Sequence, residues 1–258
     1  MASTNRQSID ERMVKFKGHN SLKQYIKNKP VKWGFKFWVR ADSITGYVFA
    51  IKLYSGKGSG YVQGSLSNIS FGASVILCMS RGLIDSGCEL YFDNYFNSPE
   101  LMITLHSYGI KAVGTVRKNR KGLPENIKAD NLLSKEDIDF HQTKDGKLNF
   151  MKWKDTKAVL MLSNFINPKT TEQSSRKKKG SAERVTVPVP SMVLKYNSYM
   201  SGVDTADQMN AAYRYDHRSR KKYYLRMFHD LIDSCIVNGY HVHKKLYEID
   251  GAKYQMTH

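Results

Sequence analysis

The chain has few residues of the kinds that build disulfide frameworks or zinc sites. Only three cysteines occur among 258 residues, they are widely separated, and no CxxC pair exists. The eight histidines include no HxxxH pair and no Cys/His group. These absences argue against a disulfide-stapled domain and against a zinc centre. We therefore predict that Cys78, Cys88 and Cys235 are reduced core thiols and that the histidines, including His241 and His243, lie at the surface.

Long apolar runs are also absent. No stretch of about 18 apolar residues occurs, which argues against a membrane-spanning helix. The first seven residues are polar and lack the apolar segment of a secretory signal. The expectation is a soluble, intracellular protein with no membrane partner.

Acidic residues are the minority charge. The chain has 23 Asp and Glu against 41 Lys and Arg, a formal net charge of +18. The basic residues are interleaved with aromatic residues rather than gathered on one amphipathic helix, which favours nucleic acid over a membrane surface. Charge alone leaves other classes open, because ribosomal, chromatin and heparin-binding proteins share it.

Hydrophobic periodicity predicts an ordered first half. Alternating apolar residues predict three antiparallel strands over 7–16, 33–39 and 47–54, with a turn at 42–46. Residues 71–83 have helical spacing, and 88–92 and 110–116 have the composition of short buried strands. Between them, Ser98, Pro99 and Glu100 form a helix start, so a parallel βαβ crossover is expected.

The second half is predicted to be an insertion followed by helices. Residues 150–153 and 158–163 suggest a β-hairpin, while the polar stretch 168–184 reads as an exposed loop. Two helices are expected over 204–213 and 223–246, the second with its core stripe at Met227, Leu231, Cys235 and Val242. The element order predicts an α/β fold of the ribonuclease H-like class, a mixed sheet with flanking helices, in three parts: 1–116, an inserted subdomain at 117–195, and 196–258.

Three aspartates have distinctive local contexts: Asp10, Asp93 and Asp204. In the predicted fold the strands of Asp10 and Asp93 are neighbours, and the helix that begins at Asp204 can lie across their edge. Converging carboxylates of this kind hold divalent cations that drive attack on a phosphodiester. Taken singly, each aspartate is better explained as a turn or capping residue than as a catalytic one. Glu11 and Asn94 are expected to point to the opposite face and receive no role.

The residues around these aspartates resemble the piggyBac family of DNA transposases. The matching stretches, in the order of the family, are Ile9-Asp10-Glu11-Arg12-Met13 with Phe16-Lys17-Gly18, Lys29-Pro30-Val31-Lys32-Trp33-Gly34-Phe35-Lys36, Phe92-Asp93-Asn94-Tyr95-Phe96-Asn97-Ser98, Gly114-Thr115-Val116-Arg117-Lys118-Asn119-Arg120 with Leu123-Pro124, and Gly202-Val203-Asp204-Thr205-Ala206-Asp207-Gln208.

The resemblance implies a cut-and-paste DNA transposase with a ribonuclease H-like catalytic core. Members of the family excise an element through flanking hairpins and insert it at TTAA. Their three catalytic aspartates match Asp10, Asp93 and Asp204, and a further metal-site acid matches Asp207, which alternatively is a helix N-terminal acid. The implied cofactor is two Mg²⁺ or Mn²⁺ ions, and the implied partners are transposon-end and target DNA.

Basic clusters supply the candidate DNA contacts. They are Arg117, Lys118, Arg120 and Lys121; Arg218, Arg220, Lys221 and Lys222; and Lys152 and Lys154, which flank Trp153. The ordinary alternatives are a solvated turn for the first group and burial in a hairpin core for Trp153. Residues 176–179 resemble a nuclear localisation signal, and a nuclear location is expected.

The chain departs from the resembled family at both ends. Family members usually carry a domain before the first catalytic strand and a cysteine-rich module after the last helix, whereas nine residues precede Asp10 and no cysteine follows Cys235. A homodimer is expected of a full-length form. The open readings are a catalytic fragment, a decayed copy or a domesticated derivative. The rival functions are a non-catalytic nuclear DNA-binding protein and a different metal-dependent nuclease of this fold.

Overall fold

A computed structural model describes residues 5–56, 69–177, 184–213 and 222–249. Two compact units are formed: one from 5–56, 201–213 and 222–249, and one from 69–177 and 184–200. In chain order the elements are β1 (Arg6–Lys15), β2 (Lys23–Tyr25), β3 (Trp33–Asp42), β4 (Val48–Leu53), α1 (Phe71–Met79), β5 (Glu89–Phe92), α2 (Pro99–Ser107), β6 (Lys111–Thr115), β7 (Ile138–Gln142), β8 (Asn149–Lys154), β9 (Ala158–Ser163), β10 (Thr171–Lys177), β11 (Arg184–Pro190), α3 (Ser191–Tyr199), α4 (Gly202–Ala212) and α5 (Tyr223–Ile249).

The first unit is built around an antiparallel sheet. β3 pairs with β1 over most of its length, and this register places Asp10 opposite Val39. β2 pairs with the beginning of β3, and β4 pairs with its later part. The predicted turn after β3 is present, because the Oδ1 atom of Asp42 accepts a hydrogen bond from the Thr45 amide at 2.7 Å. The three predicted strands are confirmed, and β2 is added to them.

The helices α4 and α5 belong to the same unit. Val203 and Ala206 of α4 join the buried cluster formed by apolar side chains of β1, β3 and β4. The predicted apolar stripe of α5 is wrong at Leu231, which is 39% exposed, and at Cys235, which is also exposed. The surface prediction for His241 is wrong as well, since this side chain is buried.

The buried face of α5 is largely polar because it meets polar atoms of the strands. Arg226, Asp233, Ser234, Val237 and His241 are its buried residues. For example, the Nε atom of Arg226 donates to the backbone oxygen of Lys15 at 3.0 Å. A buried polar side chain is stable where such partners exist, so hydrophobic spacing alone does not identify the inner face of this helix.

The second unit contains the predicted βαβ crossover. β5 and β6 are parallel, and α2 connects them. Ser98 caps α2 by accepting a hydrogen bond from the Leu101 amide, and Pro99 begins the helix, as predicted. β6 pairs antiparallel with β9, β9 with β8, and β8 with β7. The prediction of a loop over 168–184 is wrong where β10 and β11 form an antiparallel hairpin.

A separate core stabilises this second unit. Tyr91, Val113, Met151 and Met161 from its sheet are fully buried against Met192 of α3 and neighbouring side chains. Trp153 is also part of this core, as the hairpin-core reading anticipated. None of the helices within the described ranges combines the length and apolar character needed to cross a membrane.

Candidate active site

The beginning of α4 is held tightly against the strands of the first unit. A Cβ atom added to Gly202 would lie 2.4 Å from the backbone oxygen of Asp42 and 2.6 Å from the Oγ atom of Ser8. The same Ser8 hydroxyl accepts a hydrogen bond from the Val203 amide at 3.2 Å. Only glycine permits this approach, and it brings Asp204, in the first turn of α4, to the side of β1.

Carboxylates from β1 and α4 converge on one lysine. The Nζ atom of Lys29 lies 3.7 Å from Oδ2 of Asp10 and 3.7 Å from Oε1 of Glu11. Burial opposes the charge of Lys29, but the carboxylates of Asp10, Glu11, Asp204 and Asp207 together raise its pKa. Acids that are far apart in sequence therefore act on the same ammonium group.

The pKa values of Asp10 and Glu11 are shifted in opposite directions. Burial, followed by the neighbouring Glu11 carboxylate, raises the pKa of Asp10 well above its ordinary value. Burial also works against ionisation of Glu11, but its hydrogen bond with Asp10 and the charge of Lys29 outweigh burial and lower the Glu11 pKa. The prediction that Glu11 has no part in this site is wrong, because Lys29 reaches both carboxylates.

Asp207 already has a cationic partner in the protein. The Nε atom of Arg12 donates to its Oδ1 atom at 2.5 Å. Arg12, whose side chain is 3% exposed, also donates to the Ser234 hydroxyl at 2.8 Å and lies 3.7 Å from Oδ2 of Asp230. Burial raises the pKa of Asp207, although Arg12 acts in the opposite direction. The pair ties β1 to α4 and α5.

Apart from Asp10 and Ser234, these side chains border a cavity of about 400 Å³, here called the acidic cavity. Its lining contains five carboxylates and two cationic side chains. The lining residues are Glu11, Arg12, Met13, Lys29, Pro30, Val31, Asp204, Asp207, Gln208, Asn210, Ala211, Asp230 and Asp233.

Asp93, in the second unit, directly follows β5 in a strongly braced turn. Its Oδ1 atom accepts a hydrogen bond from the Tyr95 amide at 2.8 Å. Arg120 donates to the backbone oxygens of Asn94 at 2.7 Å and of Tyr95 at 3.0 Å. Arg117 donates to the Asn94 side chain at 3.0 Å. Two predicted DNA contacts thus support the Asp93 turn from within the protein.

The chemistry of these donors suits a hard divalent cation, although no complete shell is assembled. Carboxylate oxygens are the ligands that Mg²⁺ prefers, and Asp10 and Asp204 provide them. Over residues 5–56, 69–177, 184–213 and 222–249, no three His, Cys, Asp or Glu side chains form a group able to hold a metal ion. The donor set therefore fits in kind, and metal binding at Asp10, Asp93, Asp204 and Asp207 remains a prediction.

The other predicted DNA contacts differ in accessibility. The prediction for Lys152 is corrected, since its side chain is 3% exposed and its Nζ atom lies 2.6 Å from Oδ1 of Asp130. Lys154 donates to the backbone oxygen of the same aspartate at 3.0 Å. Lys118, Lys121 and Lys222 are exposed. Outside the described residues lie Arg218, Arg220 and Lys221, together with positions 178 and 179 of the basic run.

Besides Glu11, two residues of the site received no role from sequence reasoning. Arg12 follows Asp10 by two positions on a strand, so period-two alternation places both on one face and was a usable signal. Lys29 lies in the matched Lys-Pro segment, but its contact with Asp10 depends on the loop between β2 and β3. No local pattern in the sequence reports that contact.

Comparisons with known proteins agree with this architecture. A family model described as Transposase IS4 matches residues 2–240. Human PiggyBac transposable element-derived protein 3 is 32% identical over 244 residues, covering 92% of this chain and 40% of that protein. Human PiggyBac transposable element-derived protein 2 is 27% identical over 245 residues, again covering 92% of this chain and 40% of the relative. The chain thus spans about two fifths of the length of these curated relatives.

A solved structure shows the same fold. The cryo-EM structure of the piggyBac transposase synaptic complex with hairpin DNA matches with a TM-score of 0.81 and 25% identity, over 99% of this chain and 50% of that one. The ribonuclease H-like class predicted from the element order is therefore confirmed. On the family model, the curated relatives and the shared fold together, this chain belongs to the piggyBac family of transposases and transposase-derived proteins.

Proposed function

We propose that this chain is the catalytic core of a cut-and-paste DNA transposase, which cleaves DNA strands and joins them at TTAA sites in the nucleus. The observation that carries the proposal is that Lys29 contacts Asp10 and Glu11 of β1 and lines one cavity with Asp204 and Asp207 of α4. Family membership and the hairpin-DNA complex of the structural neighbour support DNA as the substrate. Transposon ends and a TTAA target are the proposed partners, and a full-length form is proposed to act as a homodimer.

In this proposal Asp10, Asp93 and Asp204 are the metal ligands, with Asp207 as an additional one. Two Mg²⁺ or Mn²⁺ ions, when bound, would activate the attacking oxygen and stabilise the leaving oxygen of the phosphodiester. Strand pairing fixes the backbone of Asp10, and the Glu11 amide donates to its Oδ1 atom at 2.8 Å, which limits the movement of the carboxylate. The assignment of Asp93 to the same centre comes from its family motif.

Lys29 holds the acids in place before a metal binds. Its ammonium group offsets part of the repulsion between Asp10 and Glu11, whose side chains would otherwise be two buried like charges. A bound metal cation would offset the repulsion between these carboxylates in place of Lys29. Lys29 would then be free to interact with a phosphate oxygen of the DNA backbone.

The proposal is tested by nicking and strand-transfer assays on transposon-end DNA with Mg²⁺ or Mn²⁺. We compare the natural chain with Asp10→Ala, Asp93→Ala and Asp204→Ala, and expect each change to reduce the rate by at least about 100-fold, since a ligand to the reacting centre is lost. Asp145→Ala is the matched control, because Asp145 lies in the exposed turn between β7 and β8. Metal-dependent cleavage that survives all three changes would refute the catalytic assignment.

A second candidate function is DNA binding without turnover, as in a domesticated derivative. The observation that favours it is the Lys29 ammonium, which sits beside Asp10 and Glu11 and supplies the positive charge expected of a metal. This candidate predicts DNA binding that is independent of metal and no nicking by the natural chain. The same assay therefore separates the two functions.

A further inference from the structure

A second cavity of the first unit has the opposite charge. It measures about 390 Å³, and we call it the lysine groove after Lys15, Lys17, Lys23 and Lys32, which line it together with Trp33. Phe16, Pro30 and Val31 complete its lining, which includes no Asp or Glu among the described residues. Such a surface suits a ligand that carries several negative charges.

Two aromatic side chains are exposed beside these lysines. Tyr25 and Trp33 are directly opposite each other in the pairing of β2 with β3, and their ring centroids are 4.7 Å apart. Tyr25 is 51% exposed and Trp33 is 53% exposed. Large aromatic residues are usually covered in a folded domain, as Trp38 and Trp153 are here. About half of the Trp33 side chain is therefore accessible to a ligand.

Lys23 links the aromatic and the basic parts of the groove. Its Nζ atom lies 5.1 Å from the centre of the Trp33 ring and donates to the backbone oxygen of Gly18 at 2.8 Å. The lysine is thus held over the ring by two contacts. A positive charge fixed at this position would meet the phosphate of a nucleotide whose base packs on the part of the Trp33 and Tyr25 rings that Lys23 leaves exposed.

We propose that the lysine groove binds unpaired DNA nucleotides, with bases stacked on Trp33 and Tyr25 and phosphates neutralised by the lysines. The proposal deepens the proposed function, because it rests on DNA being the substrate and specifies the form of DNA that the core holds. Stacking needs an exposed base face, which an intact duplex does not present. The groove therefore selects DNA that is locally single-stranded and shows little preference for sequence.

The groove also adjoins the acidic cavity. Pro30 and Val31 line both cavities, and Lys29 precedes them. A strand whose unpaired bases lie on Trp33 would therefore continue towards the carboxylates of Asp204 and Asp207. This arrangement is expected if the lysine groove binds unpaired nucleotides next to the phosphodiester that is cleaved.

The test measures binding of an oligothymidylate of about 12 nucleotides to the full chain, in the presence of a chelator so that no cleavage occurs. We expect binding to quench tryptophan fluorescence. Trp33→Ala should weaken binding roughly 5- to 100-fold, and Trp33→Phe should retain affinity but lose the quenching signal. Lys15→Ala and Lys32→Ala should each reduce the salt dependence by about 0.7 in logarithmic slope. Lys244→Ala, an exposed lysine of α5, is the matched control.

The outcomes are distinguishable from those of the cleavage assay. Equal binding by Trp33→Ala and the natural chain, with both folded by circular dichroism, would overturn the groove assignment even if DNA cleavage occurs. Tighter binding of a matched duplex than of the single strand would also overturn it. Groove-dependent binding by a chain that does not cleave DNA would support this inference while the proposed catalytic function fails.

Discussion

The guanidinium of Arg12 donates a hydrogen bond to the Asp207 carboxylate at 2.5 Å. Arg12 lies on β1, two residues after Asp10. The contact joins the strand that carries one candidate metal ligand to the helix that carries two others. Arg12 is almost completely buried, and Ser234 of α5 accepts from the same guanidinium. An ion pair between a buried guanidinium and a partly exposed carboxylate therefore links α4 to β1.

Breaking this pair should destabilise the first unit. Arg12→Met removes the guanidinium from Asp207 and the nearby Asp230, and because the Asp207 side chain is partly exposed, a cost of about 1–3 kcal/mol in the free energy of unfolding is expected. Urea denaturation provides the measurement. Adding Asp207→Asn should recover part of the loss, whereas strictly additive effects of the two changes would show that the pair is not coupled.

Neutralising Asp10 should stabilise the protein while abolishing its proposed activity. Burial raises the pKa of Asp10 in the folded chain above its unfolded value, so the folded state binds the proton more tightly. The stability given by the protonated form is present at low pH and is lost as pH rises through the folded pKa. Asp10→Asn should therefore be more stable than the natural chain at neutral pH, by about 1–2 kcal/mol.

Denaturation at several pH values checks this prediction. The stability advantage of Asp10→Asn should disappear in acid, where the natural Asp10 is also neutral. Asp145→Asn is the control with the opposite sign, because hydrogen bonds from the Thr143 hydroxyl and the Lys147 amide lower the Asp145 pKa to about 2. An advantage for Asp10→Asn that grows as the pH falls would contradict the assigned direction.

The close approach at Gly202 predicts a localised steric defect. Gly202→Ala forces a methyl group against the Asp42 backbone oxygen and should cost about 1–3 kcal/mol of stability, with loss of any cleavage that requires Asp204. Gly239→Ala is the matched control, since among the described residues nothing beyond its chain neighbours and the adjacent backbone of α5 lies within 4 Å of the added Cβ. There, the better helix propensity of alanine should stabilise the chain by about 0.5–1 kcal/mol in thermal or urea unfolding.

The Asp93 turn should loosen when Arg120 is removed. Arg120→Ala deletes both hydrogen bonds to the turn carbonyls, and amide exchange over 93–97 should accelerate about tenfold, the equivalent of ~1.4 kcal/mol. Hydrogen–deuterium exchange with mass spectrometry measures this without an activity assay. Arg120→Lys should restore part of the protection. Unchanged exchange in Arg120→Ala, at equal global stability, would show that the arginine does not brace the turn.

Sequence reasoning succeeded where a local pattern and the fold agree. Alternation of apolar residues located β1, β3 and β4, and the Ser98-Pro99 start identified α2. The hairpin of β10 and β11 was missed because its first strand has no apolar alternation: its residues run Thr-Glu-Gln-Ser-Ser-Arg-Lys and pair only with β11. Backbone hydrogen bonds, rather than burial of side chains, define such a strand.

The site was predicted less completely than the fold. The contexts of Asp10 and Asp204 identified the candidate ligands, but the roles of Lys29 and Glu11 depend on how a loop returns to β1. The inner face of α5 was likewise set by long-range partners, since Ser234 is buried by its contact with Arg12. Contacts between segments that are remote along the chain do not produce a periodic pattern in the sequence, so periodicity cannot predict them.

The short segment from Lys29 to Val31 lies between the carboxylate-rich acidic cavity and the lysine groove. A free mononucleotide is too small to contact the lysine groove and the acidic cavity at the same time. In the proposed binding mode, a DNA strand places some of its phosphates among the lysines of the groove and a neighbouring phosphodiester linkage beside the carboxylates of the acidic cavity. Length, more than base identity, is then the property by which this core would distinguish its substrate from the cellular pool of nucleotides.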